Sequence, residues 1–326
     1  MQRQINTPTA QDASGTASGL VVLLGTGGTI AGTATTAGDH IGYTAGQLGI
    51  AQLIAAVPPL AQMPLESHNV AQIDSKDMDH ATWLALAQQV AQAVARPEVA
   101  GVVITHGTDT LEETAYFLQR VLAPAKPVVL TAAMRPATAL VPDGPQNMLD
   151  AVAVARTPGA SGVVAVAAGE VHSAFEVRKA HTYRIDTFRS GDAGVIAQVE
   201  QGRLRQHRPW PQGEALGLQV LPAAGVPWPR VEWITSHTGA SGAIVRALVA
   251  DGAQGFVVAG TGNGTLHHDL EAALREALDR GVPVLRCTRC CEGVLLGSDE
   301  RKLPSAGALR PAQARIELML RLMQRA

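Results

Sequence analysis

The chain has 326 residues, 46% hydrophobic and 17% charged, with a net charge of -2 and a pI near 6.6. That is too apolar for a disordered chain, and the length suits about two domains. A balance of 26 basic against 28 acidic residues leaves no electrostatic footprint for nucleic acid or an anionic membrane, and no apolar run is long enough to cross a bilayer.

Residues 1–20 are polar and rich in Gln, Thr, Ser and Ala, which predicts a flexible tail and, with no signal-type apolar stretch, a cytoplasmic location, or a periplasmic one if a signal has been removed. Short β-branched runs then predict strands at 21–24, 101–105, 127–130, 162–166, 255–258 and 283–285. Segments with one apolar face predict helices at 81–96, 111–122, 145–156, 241–250 and 267–280. Strands that are apolar throughout, alternating with helices, indicate an α/β fold whose mostly parallel sheet is covered on both faces. Thr110 and Glu113 have capping-box spacing at the start of the helix at 111–122. Pro209, Pro211, Pro222, Pro227 and Pro229 mark 208–230 as a linker. It separates a catalytic α/β domain at 21–207 from a smaller α/β domain at 231–326.

In an open parallel sheet, ligands bind beyond the carboxyl ends of the strands. The first strand leads into Gly25-Thr26-Gly27-Gly28-Thr29-Ile30-Ala31-Gly32, and the strand at 101–105 leads into His106-Gly107-Thr108-Asp109-Thr110. Glycines and small hydroxyl residues at two strand ends let a small polar ligand come close to the backbone. A dinucleotide fingerprint would need Gly or Ala where Ile30 stands, and an acidic residue further on that is absent. Two readings remain for this turn. Either one of its threonines is a hydroxyl nucleophile, with the glycines giving room for substrate, or the turn is structural and its threonine caps a helix.

A threonine hydroxyl attacks only if a neighbour removes its proton. The chain has four lysines, and Lys179 follows the strand at 162–166, where it could reach the same end of the sheet and act as a base with an aspartate orienting it. Cys287, Cys290 and Cys291 lack a second ligand pair for zinc, and burial as small hydrophobes accounts for them better. His267 and His268 read as the polar start of a helix rather than a metal pair.

Together these segments resemble the two signatures of the bacterial-type L-asparaginase and glutaminase-asparaginase family. They are Thr26 to Gly32, and Thr105 through Leu111-Glu112-Glu113-Thr114-Ala115-Tyr116. The likeness continues through Ala132-Ala133-Met134-Arg135-Pro136, Asp143-Gly144-Pro145 and Gly260-Thr261-Gly262-Asn263-Gly264. It implies two α/β domains, the larger N-terminal one with a flavodoxin-like sheet. It also implies hydrolysis of L-asparagine to L-aspartate and ammonia through an acyl-enzyme, with no cofactor and no metal; substantial L-glutamine hydrolysis is the alternative.

By the same resemblance, Thr29 matches the nucleophile and Tyr43 the tyrosine of a loop at 32–44 that closes over the site. Thr108, Asp109 and Lys179 match the second threonine with its aspartate and lysine. Ser75 matches the serine that holds the substrate's α-carboxylate, and Asp109 also takes the α-ammonium. Glu300 falls where a neighbouring subunit donates an acid, which implies a homotetramer with sites at subunit interfaces. Lys76 stands where many members carry glutamine and Thr265 where many carry asparagine, so both bear on substrate preference rather than reaction type. An amidotransferase acting on charged tRNA would need an RNA-binding region or basic patch, and the sequence has neither. A nucleotide-binding oxidoreductase or a non-catalytic sensor would be the reading from another class.

Overall fold

The computed structural model describes residues 19–36, 38–39, 41–297 and 302–325. Most of the expected tail lies outside them, and Leu20 already belongs to the first strand. In chain order the first half comprises β1 (Leu20–Gly27), α1 (Ile50–Ala55), β2 (Leu65–Ile73), α2 (His80–Ala95), β3 (Val99–Thr105), α3 (Leu111–Leu122), β4 (Val128–Thr131), α4 (Gly144–Ala155) and β5 (Val163–Ala167). Four short strands follow: β6 (Glu170–Ser173), the pair β7 (Arg178–Lys179) and β8 (Phe188–Arg189), and β9 (Ala197–Glu200), with β10 (Arg203–Gln206) after them. The remainder holds β11 (Val231–Thr235), α5 (Ala243–Ala250), β12 (Gly255–Gly260), α6 (His268–Asp279), β13 (Val284–Thr288) and α7 (Pro311–Met323).

The large sheet runs β10-β9-β6-β5-β4-β3-β1-β2. Its parallel part has the order 2-1-3-4-5 of flavodoxin-like sheets, so the topological switch lies between β1 and β3. Beyond β5 the sheet is extended by three antiparallel strands, β6, β9 and β10, which no periodicity in the sequence announced. Alternation along β1 serves both faces. Val22 and Leu24 pack with Trp83, Leu86, Tyr116 and Phe117 of α2 and α3, while Val21 and Leu23 pack with Ile50, Leu53, Met148 and Val152 of α1 and α4.

A second, parallel sheet has the order β11-β12-β13. Phe256 and Val258 on one face meet Val245, Leu270 and Leu274 of α5 and α6. Val257, Ala259, Leu285 and Cys287 on the other face meet α7 through Ile316, Met319 and Leu320. The far side of α7 packs on α3, so one apolar core runs from the large sheet into the small one. Within it Glu317 accepts hydrogen bonds from the Tyr116 hydroxyl at 3.0 Å, Arg120 Nε at 2.8 Å and Arg321 Nε at 3.0 Å. Burial works to raise the Glu317 carboxyl's pKa, but Arg120 and Arg321 outweigh it and leave it lowered.

The stretch from 208 to 230 lies across the ends of α2 and α3. The Leu216 and Gly217 amides bond the Arg120 and Val121 carbonyls, satisfying acceptors that the end of a helix leaves open. Trp228 stacks on His80 with ring centres 4.5 Å apart.

Three local expectations are corrected. Thr110 precedes α3 but does not cap it: its hydroxyl donates to the Ser75 carbonyl at 2.8 Å, and Glu113 pairs with Arg315 of α7 at 2.8 Å. The capping box therefore does not form, because each partner is taken by a distant segment. Only Cys287 is a buried small hydrophobe; Cys290 and Cys291 are exposed. Strand β2 was not anticipated, because as an edge strand carrying Glu66, Ser67, His68 and Asn69 it lacks the apolar run of the central strands.

Candidate active site

The turns that follow β1 and β3 meet at the switch point. Gly28 has φ of 81°, and a Cβ placed on it would lie 2.4 Å from the Gly107 Cα. A Cβ on Gly107 would in turn lie 2.4 Å from the Ser75 Oγ. Only glycine at both positions lets the three turns holding Thr29, Thr108 and Ser75 pack backbone against backbone.

Thr29 begins a single 3-10 turn after Gly28 and is 7% exposed. Its Oγ1 lies 2.5 Å from the Tyr43 hydroxyl, and either oxygen can donate. Tyr43 is brought there by the loop at 32–44, whose ends pair as an antiparallel bridge: the Thr33 amide bonds the Thr44 carbonyl at 3.0 Å and the reverse bond is 2.9 Å. The base of this loop is tied to 137–138, where the Ala137 amide reaches the Gly32 carbonyl and the Ala34 amide reaches the Thr138 hydroxyl.

The second constellation is centred on Lys179. Its Nζ donates to Thr108 Oγ1 at 2.8 Å and to Asp109 Oδ1 at 2.5 Å. Thr108 is buried and Asp109 exposed, so the ion pair sits at the rim with the threonine behind it. The Asp109 amide donates to Ser75 Oγ at 3.2 Å, which occupies a lone pair and leaves the serine O–H to be given to a ligand.

Beneath the site, His106 is fully buried. Its Nδ1 lies 2.7 Å from the Gly107 carbonyl, which can only accept, so Nδ1 carries the proton and Nε2 is the acceptor. Nε2 takes the Thr114 hydroxyl proton at 3.0 Å, and Thr114 Oγ1 accepts Trp83 Nε1–H at 2.9 Å. Burial pulls the His106 pKa down to about 4, which keeps this chain in its neutral tautomer.

The sequence-derived residues therefore fall into linked groups: Thr29 with Tyr43, Thr108 and Asp109 with Lys179, and Ser75 with Asp109. Glu300 lies outside the described residues. Sequence reasoning missed Glu112, whose Oε2 accepts the Lys179 backbone N–H at 2.6 Å. Its signal was the acidic first turn of α3, Glu112 with Glu113, a pattern that helix-dipole stabilisation alone also accounts for. Lys76 turns back onto its own loop, with Nζ 3.0 Å from both Asp74 and Asp77. Thr265 bridges to Thr261, their hydroxyls 2.8 Å apart. His267 caps α6 by accepting the Asp269 amide at 3.3 Å, and the ligand atoms of His267, His268 and Asp269 lie within 4.8 Å of one another. No helix among the described residues is long and apolar enough to cross a membrane.

A family model described as "Asparaginase, N-terminal" matches residues 20–212, and one described as "Glutaminase/Asparaginase C-terminal domain" matches 230–326. The chain is 35% identical over 312 residues to "L-asparaginase 2" of Bacillus subtilis, covering 92% of this chain and 81% of that protein. It is 36% identical over 311 residues to "Glutaminase-asparaginase" of Pseudomonas fluorescens, covering 93% and 86%. A crystal structure of a "Probable Cytoplasmic L-asparaginase" from Campylobacter jejuni superposes with a TM-score of 0.88 at 36% identity, covering 94% of this chain and 95% of that one.

Proposed function

The chain belongs to the asparaginase/glutaminase family of amidohydrolases, and from that premise we propose that it hydrolyses L-asparagine to L-aspartate and ammonia through a Thr29 acyl-enzyme. The observation that carries this reading is the Lys179 ammonium bridging Thr108 and Asp109 one glycine contact away from the turn that presents Thr29.

In this reading the substrate's α-ammonium is held by Asp109 and its α-carboxylate by the Ser75 hydroxyl, a charged acceptor and a neutral donor suited to a zwitterion. The Thr29 oxygen bonds the carboxamide carbon, and the hydroxyl proton leaves through Tyr43, 2.5 Å away. The backbone amide of Thr108 stabilises the oxyanion. Breaking the C–N bond releases ammonia with a proton returned to its nitrogen, and leaves an ester on Thr29. Water then attacks that ester, its proton passing by way of the Thr108 hydroxyl, which the Lys179 ammonium polarises, to the departing Thr29 oxygen, and aspartate leaves as the Thr29 hydroxyl is restored.

The test is a coupled ammonia assay with asparagine and with glutamine. Release from asparagine that disappears in a folded Thr29→Ala variant is expected; near-normal turnover in that variant would overturn the nucleophile assignment. A higher kcat/KM for glutamine would move the chain to the glutaminase reading. A homotetramer with Glu300 reaching a neighbouring site is part of the same proposal, and sedimentation showing a fully active monomer would remove it.

A further inference from the structure

Lys179 stands on unusually thin support. Its strand β7 has two residues and pairs only with the two-residue β8, Lys179 opposite Phe188. An isolated ribbon of that size does not hold a side chain in register by itself. The neighbouring Arg178 reaches away to the Cys291 carbonyl and Glu292, and the Ala180 amide bonds the Thr187 carbonyl within the ribbon's own turn. The tie from Lys179 to the rigid scaffold runs through α3.

Asp109 lies in the loop just ahead of α3 and Glu112 in the first turn of α3, and both carboxylates face the ribbon that carries Lys179. They grip the same lysine at its two ends: Asp109 Oδ1 takes Nζ at 2.5 Å and Glu112 Oε2 takes the backbone N–H at 2.6 Å. The groups facing Glu112 are Glu113 on its own helix and Arg178 and Lys179 on the ribbon. Burial, opposed by the Lys179 amide bond, raises its carboxyl pKa to about 7.

We propose that Glu112 is the positioning residue for Lys179, fixing the lysine backbone to the first turn of α3 so that Nζ reaches Thr108 and Asp109 together. This rests on the assignment of Lys179 to the reaction made above. Glu112 itself touches neither substrate nor reacting atoms.

The experiment is a double-mutant cycle on the full chain with asparagine. Lys179→Met is expected to lower kcat by at least about 100-fold. Glu112→Ala should lower kcat about 10-fold with KM held within about twofold, since a misplaced catalytic group acts on the chemical step. Glu112→Gln, which keeps an acceptor oxygen at the same reach, should stay within about threefold of the original kcat. In the Lys179→Met background, Glu112→Ala should cost no more than about a further twofold, because its effect passes through the missing amine. Unchanged kcat in Glu112→Ala, or full additivity in the double variant, would overturn the proposal while leaving the Lys179 assignment intact. Normal turnover in Lys179→Met would remove both. Should Glu112→Ala not fold, Glu112→Met, of similar length but without an acceptor, takes its place against Glu112→Gln, and equal kcat in those two would overturn the proposal.

Discussion

Gly28 and Gly107 face each other across the switch point so closely that neither can carry a side chain: a methyl on Gly28 would lie 2.4 Å from the Gly107 Cα. Gly28→Ala therefore meets a backbone clash and a positive φ together, and the two turns must separate. Stability should fall by at least about 2 kcal/mol and kcat by at least about 100-fold, because Thr29 leaves its place opposite Thr108. Urea unfolding and the ammonia assay read the two effects separately.

Tyr43→Phe removes the hydroxyl bound to Thr29 and leaves the ring. Turnover should drop about 10- to 100-fold, the scale of one lost proton-transfer partner, with the thermal midpoint hardly moved because Tyr43 is only half-buried. Single-turnover measurement of ammonia release would show the loss in the acylation step.

Glu317 links the two sheets through α7. Glu317→Ala would leave the buried Tyr116 hydroxyl and the part-buried Arg120 guanidinium without their carboxylate partner, at a cost of about 3 kcal/mol. The folded-state pKa of Glu317 is lowered, so its contribution is present above the ordinary carboxyl value and lost as pH falls through the folded one. Denaturation curves should show the deficit at pH 7 and a smaller deficit in acid.

Two histidines should govern the mildly acidic range. His106 and His172 are buried and neutral, each with its pKa pulled down to about 4, for both by burial and for His172 also by Arg189. Between an unfolded value of about 6.5 and that folded value, only the unfolded chain takes up these protons. The histidines' share of stability is thus complete above that window and declines as pH falls through it, by about 1.4 kcal/mol per unit for each histidine, while the raised carboxyl of Glu112 works in the opposite direction. His172→Gln should remove one histidine's share of the slope between pH 6.5 and 4.5 in unfolding measurements.

Apart from α1 and α7, which were not expected, the helices were legible because one face is apolar, and the central strands because they are apolar on both faces. The sheet's edges were not. Strand β2 and strand β10, the latter with Arg203 and Arg205, are polar because charge at an edge opposes pairing with other chains, and this hides them from a reading by hydrophobicity. The site divides the same way. The glycine turns bearing Thr29 and Thr108 could be seen because they follow strands, as could Lys179 after the strand at 162–166, while the family resemblance gave the two threonines their roles and pointed to Tyr43 and Ser75. The roles of Thr110, Glu112 and Glu113 could not, since each is fixed by a partner from a distant segment: Ser75, Lys179 and Arg315.

The helix at 311–323 covers α3, whose opening turn bears Glu112 and follows closely on Asp109. During synthesis that flank stays bare until residues 311–323 have left the ribosome. A nascent polypeptide that already carries every described reacting group would thus still lack the buttress that sets them until this helix has emerged and folded.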